Sequence, residues 1–402
     1  MKAMGPIPAD YAAGLAPGGQ SPAELVAQAG GTPLFVYDRA VIQARIARFR
    51  AAFGDVALHY AVKANPFAPL LTFMADHVDG FDLASAGELA TLQAAGAAEK
   101  PVSFAGPGKT DADLAAALAA GVTVNLESEA EWDRLRLLAT DRSPTVAVRV
   151  NPPFGLKGSG MKMGGLASPF GVDHDRVPAI VRRIIDEGGD WRGLHVYAGS
   201  QSLSAEAIIE SQRATVALAA EIAEAAGATP PEVNLGGGFG IPYFAGDQPL
   251  DVEAIGTALQ QTLDRRRAIL RDTRFVIELG RWLVGEAGVY LTRVVDRKVS
   301  RGKTFLVVDG GLQHMLAASG NFGQLLRRNY PVAVANKFDA EPEAEVTIVG
   351  CLCTPLDLLA DEVMLPRARV GDLIAIFCAG AYGLTASPQA FLSMPPAREV
   401  LV

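Results

Sequence analysis

The sequence predicts a (β/α)8 barrel followed by a mainly antiparallel β domain. Two observations support this fold class. From residue 57 onward, short β-branched runs alternate with amphipathic stretches rich in alanine and leucine, and this pattern changes after Glu286. Eight strand-then-helix alternations match the eight-fold repeat of a closed (β/α)8 barrel better than an open doubly wound sheet. An open doubly wound sheet of eight parallel strands is the alternative.

The barrel strands are predicted from near-continuous apolar runs, which are typical of strands covered on both faces. We expect them at Ala57–Ala64, Gly80–Ala84, Pro101–Ala105, Val122–Glu127, Thr145–Asn151, Gly193–Ala198, Glu232–Leu235 and Arg274–Leu279. The amphipathic helices between them include Ala86–Ala95, Ala112–Ala120, Glu129–Ala139, Pro178–Glu187 and Ala205–Ala226.

The second domain is predicted from strand-like runs that are separated by turns instead of long helices. These runs are Ala287–Asp296, Thr304–Asp309, Glu345–Val349 and Asp372–Cys378, and an early run, Thr32–Tyr37, is a predicted strand outside the barrel. The predicted domains are therefore a barrel over residues 35–285 and a β domain formed by residues 1–34 and 286–402.

Composition excludes several classes of protein. The net charge is −8 and no run of Lys and Arg is present, which argues against a nucleic-acid partner. Half of the residues are apolar, which excludes a disordered chain, and three cysteines are too few for a disulfide scaffold. The N-terminus lacks a secretory signal and no run of 18 apolar residues occurs, so we expect a cytoplasmic protein without a membrane span. The five histidines are scattered, and no metal site is expected.

Polar residues fall where the predicted barrel strands end. In a (β/α)8 barrel, catalytic groups collect at the C-terminal ends of the strands. Those ends carry Lys63, Asp82, Glu127, Arg149, Asn151, His195, Tyr197, Gly236–Gly238 and Glu278. Ionisable groups are costly to bury without partners, so each of these is either paired or used in chemistry.

Three of these features have an ordinary and a chemical interpretation. Lys63 suits either an ion pair or Schiff-base chemistry, in which partial burial lowers the pKa of the amine. The run GGGFG, at Gly236–Gly240, suits either a common strand-to-helix turn or a phosphate cradle. Glu278 and Arg281 suit either a local salt bridge or the two ends of a small cofactor.

The run AGPGKT lacks the first glycine of a nucleotide-binding P-loop, because Ser103 stands there.

Six ordered motifs carry a family resemblance. HYAVKANP, FDLASAGEL, GGGFG, ELGR, CLCTPLD and AGAYG occur in this order. Together they resemble the pyridoxal-phosphate decarboxylases of the alanine-racemase-like barrel fold, which include diaminopimelate and ornithine/arginine decarboxylases. Within that group, RVNPPFGLKGSGMKMGG and RRNYP most resemble two branches. One is associated with exosortase and exopolysaccharide gene clusters, and the other decarboxylates glutamate on an acyl-carrier protein during butirosin synthesis.

The resemblance implies roles for individual residues. Lys63 would form a Schiff base with pyridoxal 5'-phosphate, and Glu278 would hold the ring nitrogen protonated. Cys353 would cross from the second subunit of a homodimer to protonate the carbanion. The remaining implied roles are phosphate binding by Gly236, Gly237, Gly238, Ser200, Arg281 and Tyr382, a position near the cofactor for Asp82, and a position near the substrate for Asp309.

Two positions depart from the diamine and diaminopimelate enzymes. Those relatives carry a histidine that stacks on the cofactor ring, where this chain has Tyr197. We expect Tyr197 to stack, and His195 either supports it or packs in the core. The residue after the catalytic cysteine is acidic in those relatives and Thr354 here, which disfavours a cationic side chain by roughly 1–3 kcal/mol.

The substrate expectations follow from these departures. Arg327 and Arg328 are candidates for a substrate carboxylate, or are a solvated face. An acidic or carrier-protein-linked amino acid is the expected substrate, and a diaminopimelate, ornithine, lysine or arginine decarboxylase is the alternative. An amino-acid racemase and a non-enzymatic pyridoxal-phosphate carrier are further alternatives. The loop Pro152–Gly171 is either a mobile lid or an ordinary surface loop.

Overall fold

The protein is described by a computed structural model that covers residues 1–140, 142–156, 161–162, 167–324 and 326–402. The chain forms two compact units that are discontinuous in sequence. The barrel unit comprises residues 46–240 and 249–280, and the β unit comprises residues 1–45, 241–248 and 281–402. The predicted domain limits lie between residues 34 and 35 and between residues 285 and 286. They remain a prediction, because a compact unit is not the same as a domain that folds alone.

The strands, numbered in chain order, fall into three sheets. They are β1 Leu34–Tyr37, β2 Ala57–Ala61, β3 Gly80–Leu83, β4 Val102–Phe104, β5 Thr123–Leu126, β6 Thr145–Asn151, β7 Met161–Lys162, β8 Val172–Asp173, β9 Asp190–Val196, β10 Gly199–Ser200, β11 Glu232–Asn234, β12 Arg274–Leu279, β13 Gly288–Ser300, β14 Lys303–Val308, β15 Val332–Val334, β16 Ala344–Val349, β17 Leu358–Leu365, β18 Leu373–Ile376 and β19 Arg398–Leu401.

Eight parallel strands close into a barrel. Their order is β5, β4, β3, β2, β12, β11, β9 and β6, and β6 pairs with β5 again. This closure excludes the open-sheet alternative and confirms the predicted (β/α)8 barrel. The α-helices of the chain are α1 Pro22–Gln28, α2 Arg39–Phe53, α3 Ala68–Ala75, α4 Ala86–Ala94, α5 Asp111–Ala120, α6 Glu129–Leu138, α7 Val177–Asp186, α8 Ala205–Ala226, α9 Val252–Asp264 and α10 Arg281–Val284.

Local sequence explains where the helices begin and end. The hydroxyl of Ser204 accepts the amide of Ala207 at the start of α8, and Gly227 ends that helix in the left-handed conformation. Thr110 and Asp113 form a reciprocal capping box at the start of α5. Such caps satisfy backbone groups that have no partner inside the helix. In the described residues, none of the helices is long and apolar enough to cross a bilayer.

The first barrel strand is shorter than predicted. The expected strand Ala57–Ala64 ends at Ala61, and residues Val62–Ala64 form a 3₁₀ turn that carries Lys63. The sequence continues into Asn65 and Pro66, and the residue before a proline is restricted away from helical geometry. The lysine therefore stands on a turn beyond the strand end.

The β unit contains the predicted, mainly antiparallel sheet. Its main strand order is β15, β18, β13, β14, β16 and β17, with β1 beside β13 and β19 beside β1. The pairs β14–β16 and β1–β19 are parallel and the others are antiparallel. The early run predicted as a strand outside the barrel is β1.

Candidate active site

Lys63 and Tyr197 meet at the C-terminal end of the barrel. Lys63 is exposed, and its ammonium nitrogen lies 5.3 Å from the centroid of the Tyr197 ring. An aromatic face attracts a cation at this distance. The partial burial predicted for the Lys63 amine is not observed, because the residue sits on the turn after β2.

Asp82 is buried in β3 and faces a histidine. Its Oδ2 atom lies 3.5 Å from Nδ1 of His59 in the neighbouring strand β2. Burial disfavours the protonated imidazole, but the Asp82 carboxylate raises the pKa of His59 above its ordinary value. Asp82 thus has a charge partner beneath it in the barrel.

Glu278 lies in β12 and is surrounded by polar groups from two other strands. Its Oε2 atom lies 3.2 Å from Nε2 of His195, and it accepts a hydrogen bond of 3.2 Å from the Asn234 amide. Burial alone would raise the pKa of Glu278, but His195, with weaker contributions from Lys63 and Arg149, holds it well below its ordinary value. The carboxylate is therefore ionised at neutral pH. Within the barrel unit, the side chains of His195 and Asn234 are its nearest polar contacts.

Glu127 and Arg149 form a second buried pair at this end of the barrel. Their side chains are 2.7 Å apart. Glu127 also accepts hydrogen bonds from the amides of Gly106 and Gly171. Although burial opposes the charged form, Arg149 lowers the pKa of Glu127. Asn151, also predicted at this end, donates to Asp173 at 2.9 Å.

The glycine run after β11 is crowded by backbone on three sides. A Cβ atom at Gly237 would lie 1.9 Å from the carbonyl oxygen of Glu278, and one at Gly238 would lie 2.5 Å from that of Gly199. The amide of Gly236 donates to Asn234. The amides of Gly237 and Gly238 have no hydrogen-bond partner in the described part of the chain. Close packing thus requires glycine here and leaves two donors for a ligand.

The other predicted phosphate-binding side chains divide between the two units. Ser200 is buried in β10 of the barrel unit, whereas Arg281 and Tyr382 belong to the β unit. Within the β unit, Arg281 donates to the Tyr243 hydroxyl at 2.8 Å, and its guanidinium carbon lies 4.6 Å from the centroid of the Tyr382 ring. These two contacts fix the direction of the Arg281 fork.

Cys353 lies in the loop between β16 and β17, and its side chain is exposed. The buried carboxylate of Asp357 organises this loop by accepting the amides of Leu352, at 2.8 Å, and Leu312, at 2.7 Å. The hydroxyl of Thr354 accepts the amide of Leu356 at 3.3 Å. The loop therefore holds the thiol outward while Thr354 takes part in the turn.

The predicted substrate residues of the β unit already have structural contacts. Asp309 accepts hydrogen bonds from the hydroxyls of Thr32 and Thr292 and from the Arg293 amide. Arg327 donates to backbone carbonyls of Ser319 and Leu358. The guanidinium carbon of Arg328 lies 3.8 Å from the centroid of the Phe244 ring, and its side chain is exposed. The two arginines therefore lie in different surroundings. Their contacts with a substrate remain predictions.

The run AGPGKT has a structural explanation. Lys109 is buried and donates to Glu131 at 2.8 Å and to the carbonyls of Asn125 and Gly106. Thr110 caps α5. These contacts give Lys109 and Thr110 structural roles in the loop and at the start of the helix. In the predicted lid Pro152–Gly171, residues 157–160 and 163–166 lie outside the described residues.

Comparison with known proteins identifies the family. Residues 39–285 match the model of the pyridoxal-dependent decarboxylase, pyridoxal binding domain. The chain belongs to this decarboxylase family. It is 37% identical to the L-glutamyl-[BtrI acyl-carrier protein] decarboxylase of Niallia circulans, over 92% of this chain and 88% of that protein. It is 34% identical to a diaminopimelate decarboxylase of Archaeoglobus fulgidus, over 92% and 88%.

Solved structures of decarboxylases have the same fold. The chain superimposes on diaminopimelate decarboxylase from Helicobacter pylori complexed with L-lysine with a TM-score of 0.83, at 25% identity, over 94% of each chain. The corresponding enzyme from M. jannaschi gives 0.83 at 26% identity, over 95% of this chain and 89% of that chain. The predicted family, enzyme class and cofactor are confirmed.

The barrel unit of this decarboxylase fits pyridoxal phosphate. The cofactor needs an amine for covalent attachment, a charged partner at the ring nitrogen and donors for its phosphate. Lys63 supplies an accessible amine, Glu278 an ionised carboxylate, and Gly237 and Gly238 two unpartnered amides. These side chains and amides are contributed from the C-terminal ends of several strands, as in other barrels of this type.

Sequence reasoning missed two residues of the decarboxylase that support predicted ones. His59 lies beneath Asp82, and Asp357 shapes the loop of Cys353. Both were present in the quoted motifs HYAVKANP and CLCTPLD. Alternation along β2 was the available signal for His59, because it places His59 and Ala61 on one face of the strand.

Proposed function

We propose that this decarboxylase removes the α-carboxylate of an acidic or carrier-protein-linked amino acid. The ionised carboxylate of Glu278 supports the chemistry, because a buried negative charge stabilises a protonated ring nitrogen. Bound here, pyridoxal phosphate supplies an electron sink for the electron pair left at Cα when CO2 departs.

Individual residues are proposed to bind and orient the reactants. The Lys63 Nζ atom is the proposed site of Schiff-base attachment, and Tyr197 is proposed to cover one face of the cofactor ring. The amides of Gly237 and Gly238, with Ser200, are proposed phosphate donors. Gly236 shapes the turn, and Arg281 and Tyr382 are proposed to bind the same phosphate.

Two histidine–carboxylate contacts set the charge at this site. His195 favours the ionised form of Glu278, and this carboxylate would hold a proton on the ring nitrogen of the bound cofactor. Asp82, held by His59, is proposed to lie near the amine of Lys63.

Cys353 is the proposed acid that returns a proton to Cα. Its thiol is exposed in the β unit, which suits a group that serves the active site of another chain. We therefore propose a homodimer with shared sites, whose monomers are inactive. An exposed free thiol also suits a reducing compartment, which supports the proposed cytoplasmic location.

Mixing two inactive variants tests the shared site. Lys63→Ala and Cys353→Ala homodimers are unfolded, mixed and refolded together. Random reassortment places both native residues in one site of each mixed dimer, so about a quarter of the wild-type activity returns. No recovery, with dimers confirmed by sedimentation, would contradict sharing.

Thr354 is the residue on which the substrate class depends. A carboxylate at this position would pair with a distal ammonium group, and a threonine leaves that ammonium without a charge partner. Arg328, which is exposed, and Arg327 are proposed contacts for a substrate carboxylate. The similarity to a relative named for a carrier-bound glutamyl substrate supports this proposal. The similarity to diaminopimelate decarboxylases supports the alternative of a free substrate with a distal ammonium group.

Product masses distinguish these substrates. The cofactor-loaded protein is offered ornithine, lysine, arginine, diaminopimelate, glutamate and a carrier-linked glutamyl thioester. We expect loss of one CO2 from glutamate or the thioester. Thr354→Asp should add activity toward diaminopimelate or ornithine, and its uncharged control Thr354→Asn should not. Efficient turnover of a diamine precursor by the unmodified protein would overturn the proposed substrate, and interconversion of enantiomers without CO2 would indicate a racemase.

A further inference from the structure

A second cavity opens at the end of the barrel opposite to the candidate active site. Its volume is about 590 Å³, and it is lined by the N-terminal parts of the strands, including Thr123, Thr145 and Glu232. Small-molecule pockets in proteins have volumes of ~300–1,000 Å³. The mechanism proposed above places no reacting group in this cavity, although His59 and His195, which contact Asp82 and Glu278, also line it.

Two buried histidines form the deep end of the cavity. His59 and His195 are 2% and 3% exposed, and both line the cavity. His59 Nε2 and His195 Nδ1 have no hydrogen-bond partner within the described ranges of the chain. Buried polar atoms are nearly always satisfied by protein, water or a ligand. These two nitrogens therefore indicate a polar occupant.

Opposite charges face the same cavity closer to its mouth. Glu232 of β11 and Arg274 of β12 are direct register partners on neighbouring parallel strands, and both line the cavity. Across residues 1–140, 142–156, 167–324 and 326–402, neither side chain takes part in an ion pair within 4.0 Å. Burial raises the pKa of Glu232, although His59 and Arg274 oppose that effect. A carboxylate in this position gains from a cationic partner.

We propose that this cavity binds a small amino-acid zwitterion. The ammonium group of the ligand pairs with Glu232, and its carboxylate pairs with Arg274. Where the ligand carries a polar side chain, that side chain contacts the free nitrogens of His59 and His195. A simple anion would leave Glu232 without a partner, and a simple cation would leave Arg274 without one. The two charges of a zwitterion satisfy both.

Binding to the cofactor-loaded enzyme tests this proposal with N,N-dimethylglycine as the probe. This zwitterion has a tertiary amine and forms no Schiff base, so the cofactor does not capture it. Isothermal titration calorimetry should show saturable binding of one probe per chain. Glu232→Gln and Arg274→Gln should each weaken binding at least tenfold, whereas Glu232→Asp should stay within a few-fold of the native protein.

Matched controls separate this site from nonspecific binding. Asp272→Asn and Arg271→Gln alter exposed charges just before Arg274 and should leave binding unchanged. Circular dichroism verifies that each variant is folded. The proposal is overturned if binding does not saturate or if Glu232→Gln and Arg274→Gln bind normally. It is also overturned if acetate binds as tightly as the zwitterion, because the cavity is then a simple anion site.

Discussion

The two ends of the barrel present charged side chains in different ways. At the C-terminal end, Glu127 pairs with Arg149 at 2.7 Å and Glu278 lies 3.2 Å from His195, and all four are buried. At the N-terminal end, the register partners Glu232 and Arg274 form no such pair in the described part of the chain, and Arg274 is exposed. Pairing fixes both position and ionisation where burial is costly. The N-terminal end leaves the charges of Glu232 and Arg274 available to a ligand.

Substituting a lysine at each end should give the largest difference, which is a difference in the rate of CO2 release. Lys63→Ala should lower the rate of CO2 release by at least ~10³-fold, because the amine that attaches the cofactor is lost. Lys100→Ala, at the mouth of the opposite cavity, should behave as wild type. Borohydride reduction followed by peptide mass spectrometry should find the pyridoxyl group on the Lys63 peptide. Its appearance on another lysine would refute the assignment.

Substituting an arginine should lower the free energy of unfolding more at the C-terminal end of the barrel than at the N-terminal end. Arg149→Met leaves the buried Glu127 unpaired and should cost about 3–5 kcal/mol in the free energy of unfolding. Arg274→Met removes an exposed guanidinium and should cost less than about 0.5 kcal/mol. Urea denaturation measures both. Adding Glu127→Gln to Arg149→Met should recover part of the loss, and equal costs at the two ends would remove the distinction.

The smallest effect is expected from substituting His59, which lies between the two ends, and it is a change in how the free energy of unfolding depends on pH. The pKa of this imidazole is raised in the folded protein, so its stabilising contribution is present below its unfolded value and is lost as pH rises through the folded value. His59→Gln should therefore destabilise the protein more at about pH 5.5 than at about pH 8. Urea denaturation at both pH values checks this, and a constant difference would contradict the charge contact with Asp82.

Much of the fold was predictable because local signals were strong. The strands at 145–151 and 274–279 and the helix at 205–226 occur as predicted, and the helix is bounded by Ser204 and Gly227. The turn that carries Lys63 was not predicted, because the apolar run continues through it. The transition of residues 241–248 to the β unit depends on long-range packing, which local periodicity does not encode.

The residues of the candidate site were easier to predict from the sequence than the partners that those residues contact. Lys63, Asp82 and Glu278 were predicted as site residues from their positions at strand ends, and their roles remain a prediction. Their partners come from other strands, because Glu278 contacts His195 and Asp82 contacts His59. Such pairs depend on the register between strands, which one sequence does not reveal. The open cavity at the other end depends on register for the same reason.

The position of β1 has a consequence for biosynthesis. This apolar strand pairs on one side with β13 and on the other with β19, and both partner strands are made after the barrel. During translation, both edges of this strand, with the sequence LFVY, therefore remain without partner strands until the barrel has been made. Unpaired apolar edges promote aggregation of nascent chains. The β unit therefore completes its sheet around β1 only after the barrel strands have been made.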